Sequence, residues 1–136
     1  MKAVTTIIEK ASDGGYGIYC PELSGVPLYG YGLTEEEAKE NLRDNLEAIK
    51  EHYDEENLPL PEVIREEIRF DYKYDFSGFF KTYPIFNVSI LAENIGINAS
   101  LMRKYKNGIA FASPKQRDKI QQGIHSLAEQ LSTVRF

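Results

Sequence analysis

Few side chains of this 136-residue chain have the types and spacing that catalysis or metal binding requires. His52 and His125 are far apart in sequence and Cys20 is the only cysteine, so no recognised metal-ligand spacing is present. Gly30 and Gly32 precede a helical pattern but lack the third glycine of a phosphate-binding loop. The sequence therefore predicts a protein that is not an enzyme and that uses no metal or cofactor.

The residues whose chemistry is clearest lie around residue 100. Asn87 can cap a helix predicted from Val88 to Asn94, Gly96 breaks that helix, and Asn98 can cap a second one. Two helices joined by a short glycine turn make a helix-turn-helix, in which Ala92 should lie where the helices cross and Met102 and Tyr105 should be core residues of the second helix. Polar, small and cationic residues are expected to face outward at Ser89, Asn98, Ala99, Ser100, Arg103, Lys104, Lys106 and Asn107.

These outward residues offer the donors and acceptors that DNA recognition uses. Amides can bond adenine edges, arginine can pair with guanine O6 and N7, and lysines can meet phosphates. We therefore expect this face to bind DNA. The alternative is an ordinary helical hairpin whose basic face is only solvated.

A further helix has a well-marked start. Ser113 can serve as its N-cap, with Pro114 at the first helical position and Gln116 at the third. An apolar seam follows at Ile120, Ile124, Leu127 and Leu131. This seam either packs on the helix-turn-helix or meets the same seam of a second copy. Because helix-turn-helix proteins usually bind two half-sites, we expect a homodimer or a higher homo-oligomer.

The net charge of −5 conceals a division along the chain. Residues 1–75 carry 8 Lys and Arg against 18 Asp and Glu, a net −10, whereas residues 76–136 carry 8 against 3, a net +5. Such asymmetry predicts two domains, 1–75 and 76–136, with different partners. The alternative is that the helices simply vary in surface charge.

The acidic part carries a β-β-β-α-β pattern, so the fold class is α+β. A capping box at Thr34 and Glu37 starts a helix whose apolar stripe runs from Ala38 to Tyr53. The proline-rich segment 57–61 cannot continue that helix. Strand signals, from β-branched residues, turns and period-2 alternation, occur at 3–10, 16–20, 27–32 and 68–76.

The chain has the composition of a soluble protein of a reducing compartment. No apolar run approaches the ~20 residues of a membrane span, and the N-terminus has no signal-peptide pattern. A single cysteine excludes an internal disulfide. We therefore expect a cytoplasmic protein that makes no use of a membrane.

Two stretches resemble the N-terminal domain of HicB antitoxins. Residues 15–25 follow that family's Gly-Tyr-x-Val strand into Pro-Asp-Leu-Pro-Gly, with Glu22 for the aspartate and Ser24 for the second proline. Residues 30–38 follow its Gly-Asp-Thr-x-Glu-Glu-Ala helix start, with Tyr31-Gly32-Leu33 before the threonine. Residues 87–105 are similar to the helix-turn-helix of many HicB-type proteins.

The resemblance implies a degenerate RNase H-like fold for residues 1–75 that does not cut nucleic acid, followed by an all-α helix-turn-helix domain. It implies an antitoxin that binds a HicA-type toxin, a small basic protein that degrades mRNA, and that represses its own operon. On this basis we expect toxin contacts at Tyr16, Tyr19, Glu22, Tyr29, Tyr31, Glu36 and Glu40. The tyrosines could instead be ordinary sheet packing.

Two other functions remain compatible with the sequence. The first is a stand-alone transcription regulator whose acidic domain senses a ligand or dimerises. The second is a nuclease that retains RNase H chemistry. That chemistry needs several carboxylates around two metal ions, and the first predicted strand offers only Glu9 near its end.

Overall fold

Four strands within the first 74 residues form one mixed sheet in the computed structural model, which describes residues 1–136. The strands are β1 (Lys2–Lys10), β2 (Tyr16–Tyr19), β3 (Tyr29–Gly32) and β4 (Ile68–Tyr74), in the spatial order β3-β2-β1-β4. β1, β2 and β3 are successive antiparallel neighbours, whereas β4 lies on the far side of β1. The four predicted strands are confirmed, with ends that differ by one or two residues.

The β1–β2 turn is closed by local hydrogen bonds. Gly14 adopts a φ of 90°, which glycine tolerates because it has no Cβ. The Asp13 carboxylate accepts a hydrogen bond from the Gly15 amide at 2.9 Å, a local Asx turn. Ile8 lies opposite Ile18 in the resulting ladder, and both side chains are buried.

The long helix α1 (Glu35–Glu55) covers one face of this sheet. The Thr34 hydroxyl accepts from the Glu37 amide at 3.2 Å, as the capping box predicts. The Glu37 carboxylate reaches back one residue further than predicted and accepts from the Leu33 amide at 3.2 Å. The cap therefore fixes the chain just after β3 as well as the start of α1.

Glycines in β3 allow α1 to lie directly on the sheet backbone. A Cβ at Gly30 would lie 2.6 Å from the Ala38 carbonyl oxygen and 2.8 Å from Leu42 Cβ. Ala38 and Leu42 are fully buried, so this contact belongs to the core. Gly30 thus serves helix packing. A short 3-10 turn, Glu62–Ile64, precedes β4.

The chain divides into two units, Met1–Lys73 and Tyr74–Phe136. The second contains helices α2 (Ser77–Thr82), α3 (Val88–Ile95), α4 (Ala99–Lys106) and α5 (Pro114–Ser132). Tyr74 and Ala112 exchange two backbone hydrogen bonds of 2.8 and 2.9 Å. No helix in either unit combines the length and the apolar character that crossing a membrane would require.

The core of the second unit forms where α3, α4 and α5 meet. Side chains of Leu91, Ala92, Met102, Tyr105 and Ile120 are buried there. Asn87, Asn98 and Ser113 cap the three helices with side-chain oxygens, as the sequence predicts.

Candidate functional site

The exposed side of α4 and the start of α3 form a basic surface. Ser100, Arg103, Lys104 and Lys106 on α4 are exposed, and so are the remaining predicted DNA-contact residues except Ala99, which is half-buried. Ser89, Asn98 and Asn107 lie at or beside helix ends. Four of the eight predicted residues, Ser89, Arg103, Lys106 and Asn107, line one groove of the α3–α4 pair. We call the eight residues together the basic surface.

Arg103 joins the two helices of the basic surface. Its Nη1 atom donates a hydrogen bond to the Ser89 hydroxyl at 3.0 Å, so the guanidinium lies beside the first turn of α3. A groove of about 330 Å³ opens here, lined by Phe86, Asn87, Val88, Ser89, Arg103, Lys106 and Asn107. Two cations and the first amides of a helix are groups that bind a phosphate oxygen.

Buried side chains hold α4 in place beneath the basic surface. Met102 is fully buried and Tyr105 nearly so, which confirms their predicted core positions. Burial raises the pKa of the Tyr105 phenol, and a hydrogen bond to Gln116 opposes that effect. The α3–α4 turn begins at Gly96, whose φ of 88° lets it close the end of α3, and Ile97 is buried after it.

The long α5 contributes a contact that the sequence did not reveal. Lys119 Nζ donates a hydrogen bond to the Gly96 carbonyl oxygen at 2.8 Å. An ammonium group is favourable at a helix C-terminus, where carbonyl groups lack partners. The two residues are 23 positions apart, so no local pattern could have indicated this pair.

The apolar seam of α5 divides into a buried and an exposed part. Ile120 is 1% exposed, so it is a core residue of this unit and not part of a surface that a second copy could reach. Ile124 and Leu127 are half-buried, whereas Leu131 is 61% exposed. Gly123 lies against Ile95 of α3, where a Cβ would be 2.5 Å from Ile95 Cγ1. Packing on α3 therefore occupies the first part of the seam.

In the first unit, three of the predicted contact tyrosines share the sheet face opposite α1. Tyr19 pairs with Tyr29, and Tyr31 pairs with Gly17 on the same face. Tyr16 points the other way, because its partner Gly32 lies against α1. The three tyrosines form what we call the tyrosine face: Tyr19, Tyr29 and Tyr31.

Two of the three predicted acidic contacts, Glu36 and Glu40, lie away from the tyrosine face. Glu36 and Glu40 are exposed on α1, which covers the opposite side of the sheet, and Glu22 is exposed in the loop after β2. Glu36 lies 3.9 Å from Lys39 of its own helix. The structure thus separates the seven predicted residues into at least two surfaces.

Asp13 supplies a carboxylate at the edge of the tyrosine face. It accepts a short hydrogen bond from the Tyr31 hydroxyl and another from the Gly15 amide at 2.9 Å. The bond with Tyr31, and then the Gly15 amide, lower the pKa of the Asp13 carboxyl. The same bond raises the pKa of the Tyr31 phenol, because ionising the phenol would bring two negative charges together.

Two asparagines that the sequence analysis missed hold β3 to α1. Asn41 Oδ1 accepts from the Tyr31 amide at 2.9 Å, and Asn45 Nδ2 donates to the Tyr29 carbonyl at 2.7 Å. They lie one helical turn apart, so both reach the same edge strand. Their i, i+4 spacing beside the apolar stripe was the available signal.

The remaining reactive groups form no cluster. Cys20 is buried, and burial raises the pKa of its thiol. Its Sγ atom lies 3.6 Å from the Thr6 hydroxyl. No group of three His, Cys, Asp or Glu side chains in residues 1–136 is placed to hold a metal ion.

Comparison with curated proteins identifies relatives of about half the chain. The UPF0150 protein ssl0738 of Synechocystis is 45% identical over 69 residues, which span 49% of this chain and 93% of that protein. The chain belongs to the UPF0150 family. A second UPF0150 protein of Synechocystis, ssr1765, is 39% identical over 57 residues, which span 42% of this chain and 70% of that protein. No family model matches the chain, and no solved structure matches it significantly.

Proposed function

We propose that this UPF0150 protein is the antitoxin of a type II toxin–antitoxin pair. Its first unit binds and neutralises a HicA-type toxin, and its second unit binds operator DNA and represses the operon. The observation that carries the proposal is that the charge division coincides with the division of the fold. Met1–Lys73 carries 8 Lys and Arg against 17 Asp and Glu, a net −9, and Tyr74–Phe136 carries 8 against 4, a net +4.

Family membership supports the role of the first unit. UPF0150 includes HicB-like antitoxin proteins, and the strand and helix order of this unit is compatible with the degenerate RNase H-like fold of HicB. A toxin that degrades mRNA must itself present a basic surface to RNA. An acidic protein is attracted to that surface and blocks it.

The basic surface supports the role of the second unit. We interpret α3 and α4 as a helix-turn-helix in which α4 is the recognition helix. Arg103 and Lys106 would contact backbone phosphates beside the first turn of α3, while Asn98, Ser100 and Lys104 face outward toward base edges. Lysine and arginine contacts to phosphates release counterions from DNA, so the affinity should depend strongly on salt.

A homodimer completes the DNA-binding part of the proposal. Two helix-turn-helix units bind half-sites one DNA turn apart, which requires two linked copies. The later part of the α5 seam, at Ile124, Leu127 and Leu131, is the surface we assign to that pairing. A protein that binds both an mRNA-degrading toxin and operator DNA would act in the cytoplasm, which is the location we propose.

Co-expression with a candidate toxin, defined as a small basic protein whose reading frame adjoins the gene of this chain, tests the proposal. We expect the basic protein alone to arrest growth of a bacterial host, and co-expression of the UPF0150 protein to restore growth. A complex should co-purify. If growth stays arrested and no complex forms, or if no such reading frame adjoins the gene, the antitoxin assignment is wrong.

A double variant separates the two activities. Arg103→Ala with Lys104→Ala should lose repression of a reporter driven by the upstream region, yet still restore growth. Should the wild-type chain bind that DNA while failing to restore growth, it is a stand-alone regulator. Cleavage of an RNA–DNA hybrid with magnesium would instead make it a nuclease.

A further inference from the structure

The rings of Tyr29 and Tyr31 lie across the neighbouring strand, each over a glycine. A Cβ at Gly17 would clash with Tyr29 Oη and would lie 3.1 Å from Tyr29 Cζ. A Cβ at Gly15 would lie 2.6 Å from Tyr31 Oη. Gly17 does not have a positive φ, so its backbone would accept a side chain. Glycine is required at position 17 because the Tyr29 ring occupies the space that a side chain would need.

The same two tyrosines are held at their backbone. Asn45 donates to the Tyr29 carbonyl and Asn41 accepts from the Tyr31 amide, at 2.7 and 2.9 Å. These groups face the open edge of β3, the last strand of the sheet. Because α1 already occupies them, a partner cannot pair with them by strand addition. A partner reaches this site through the outward ring faces.

The ring faces suit a cation. Tyr29 is 46% exposed and Tyr31 37%, although both rings have one side against the sheet. A tyrosine face attracts ammonium and guanidinium groups, and the Asp13 carboxylate at its rim adds a negative charge. Other tyrosines of this unit already hold cations: Lys10 Nζ lies 3.9 Å from the Tyr16 ring centre, and Lys39 Nζ lies 4.5 Å from that of Tyr72.

We propose that Tyr29 and Tyr31 form a platform for arginine and lysine side chains of a basic protein partner, and that Gly17 is a positioning residue that keeps the Tyr29 ring flat. The partner chemistry rests on the proposed function, in which the first unit binds a basic toxin. The net −9 of this unit is complementary to such a partner. Asn41 and Asn45 hold the platform from behind.

Binding of a short cationic peptide to the full chain tests the platform without the toxin. The probe is an eight-residue peptide of alternating arginine and glycine, and its control has citrulline, which keeps the shape of arginine but lacks the charge. We expect the arginine peptide to shift the ring NMR signals of Tyr29 and Tyr31. Equal shifts with citrulline, or no shifts at these rings, would overturn the proposal.

Gly17→Ala tests the positioning role. The added methyl group must displace the Tyr29 ring, and we expect peptide affinity to fall about threefold. Gly78→Ala is the matched control, because a Cβ at Gly78 meets nothing within 4 Å. In a Tyr29→Ala background, which leaves room for the methyl group, Gly17→Ala should have no further effect. An equal further loss there would mean that Gly17 acts on the fold and not on the ring.

Toxin binding by the variants and rescue of growth distinguish the tyrosine platform from the antitoxin role. If the toxin binds Tyr29→Ala and Gly17→Ala as tightly as it binds the wild-type chain, the antitoxin role stands and the platform is wrong. If the peptide binds at the two rings but growth is not restored in co-expression, the platform stands and the antitoxin role is wrong. The NMR signals of residues far from position 17, compared between Gly17→Ala and the wild-type chain, report whether the variant is folded.

Discussion

Lys119 Nζ donates a hydrogen bond to the Gly96 carbonyl oxygen at 2.8 Å, and so fastens α5 to the turn between α3 and α4. Gly96 carries the positive φ that ends α3. The lysine thus stabilises the point at which the chain turns into the proposed recognition helix, although it belongs to neither of the two helices.

Removing this lysine should loosen the turn. Since Lys119 is exposed, we expect Lys119→Met to lower the free energy of unfolding by only about 0.5–1 kcal/mol. Operator affinity should fall further than stability alone explains. Urea titration and a DNA-binding isotherm measure the two effects. Lys115→Met, on the same helix, is the control, and an identical result for both variants would contradict the role of Lys119.

Gly123 is expected to be intolerant of alanine, despite alanine's better helix propensity of about 1 kcal/mol. Its added methyl group would meet Ile95 Cγ1 at 2.5 Å. Overpacking of this kind costs about 1–3 kcal/mol, so Gly123→Ala should lower the thermal midpoint. Ile95→Ala in the same chain should recover part of the loss. A rise in the midpoint for Gly123→Ala alone would show that α5 is not held against α3.

DNA affinity is expected to depend on two exposed cations of α4. Arg103→Ala with Lys104→Ala should weaken binding to the upstream DNA and reduce the slope of log affinity against log salt by about 1–2. Lys81→Ala with Arg135→Ala removes the same charges outside α3 and α4, and should change both quantities much less. Equal losses for the two pairs would point to non-specific attraction of the whole unit.

The Asp13–Tyr31 hydrogen bond should stabilise the fold only within a limited pH range. The folded-state pKa of Asp13 lies below its ordinary value. Its contribution to the stability of the fold is therefore present above the ordinary pKa and is lost as the pH falls through the lowered pKa. The folded-state pKa of Tyr31 is raised. Its contribution to the stability of the fold is therefore present below the ordinary pKa and is lost as the pH rises through the raised pKa. The bond is therefore complete at neutral pH.

Asp13→Asn should return the Tyr31 pKa toward its ordinary value, because the neighbouring negative charge is gone. Titration of the Tyr31 ring carbon signal by NMR measures this change. The Tyr105 signal is the internal control, since the pKa of Tyr105 is raised mainly by burial in the other unit. An unchanged Tyr31 titration would show that the hydrogen bond does not form in solution.

Local spacing was sufficient to predict the helix starts and the core of the α3–α4 pair. The caps at Thr34, Asn98 and Ser113 each use an oxygen and an amide three residues apart, a relation that the sequence states directly. Ala92, Met102 and Tyr105 are buried because the helical period places them on one side.

Contacts between elements distant in sequence were not predictable in this way. Asn41 and Asn45 appear as ordinary polar residues until β3 is placed beside α1, and Lys119 appears so until α5 crosses the end of α3. The separation of Tyr16 from the other predicted tyrosines could be read from the sequence, since period-2 alternation sets residues 16 and 19 on opposite faces of a strand. The prediction that Tyr16 and Tyr19 lie on one surface was therefore wrong.

The decisive test is the binding isotherm of the purified full chain with a catalytically inactive form of the candidate toxin. We expect saturable binding whose affinity falls as salt rises, because an acidic unit meets a basic partner. We also expect Tyr29→Ala to weaken the binding and Arg103→Ala to leave it unchanged. Absence of binding, or binding lost only with Arg103→Ala, would contradict the assignment of the first unit to the toxin.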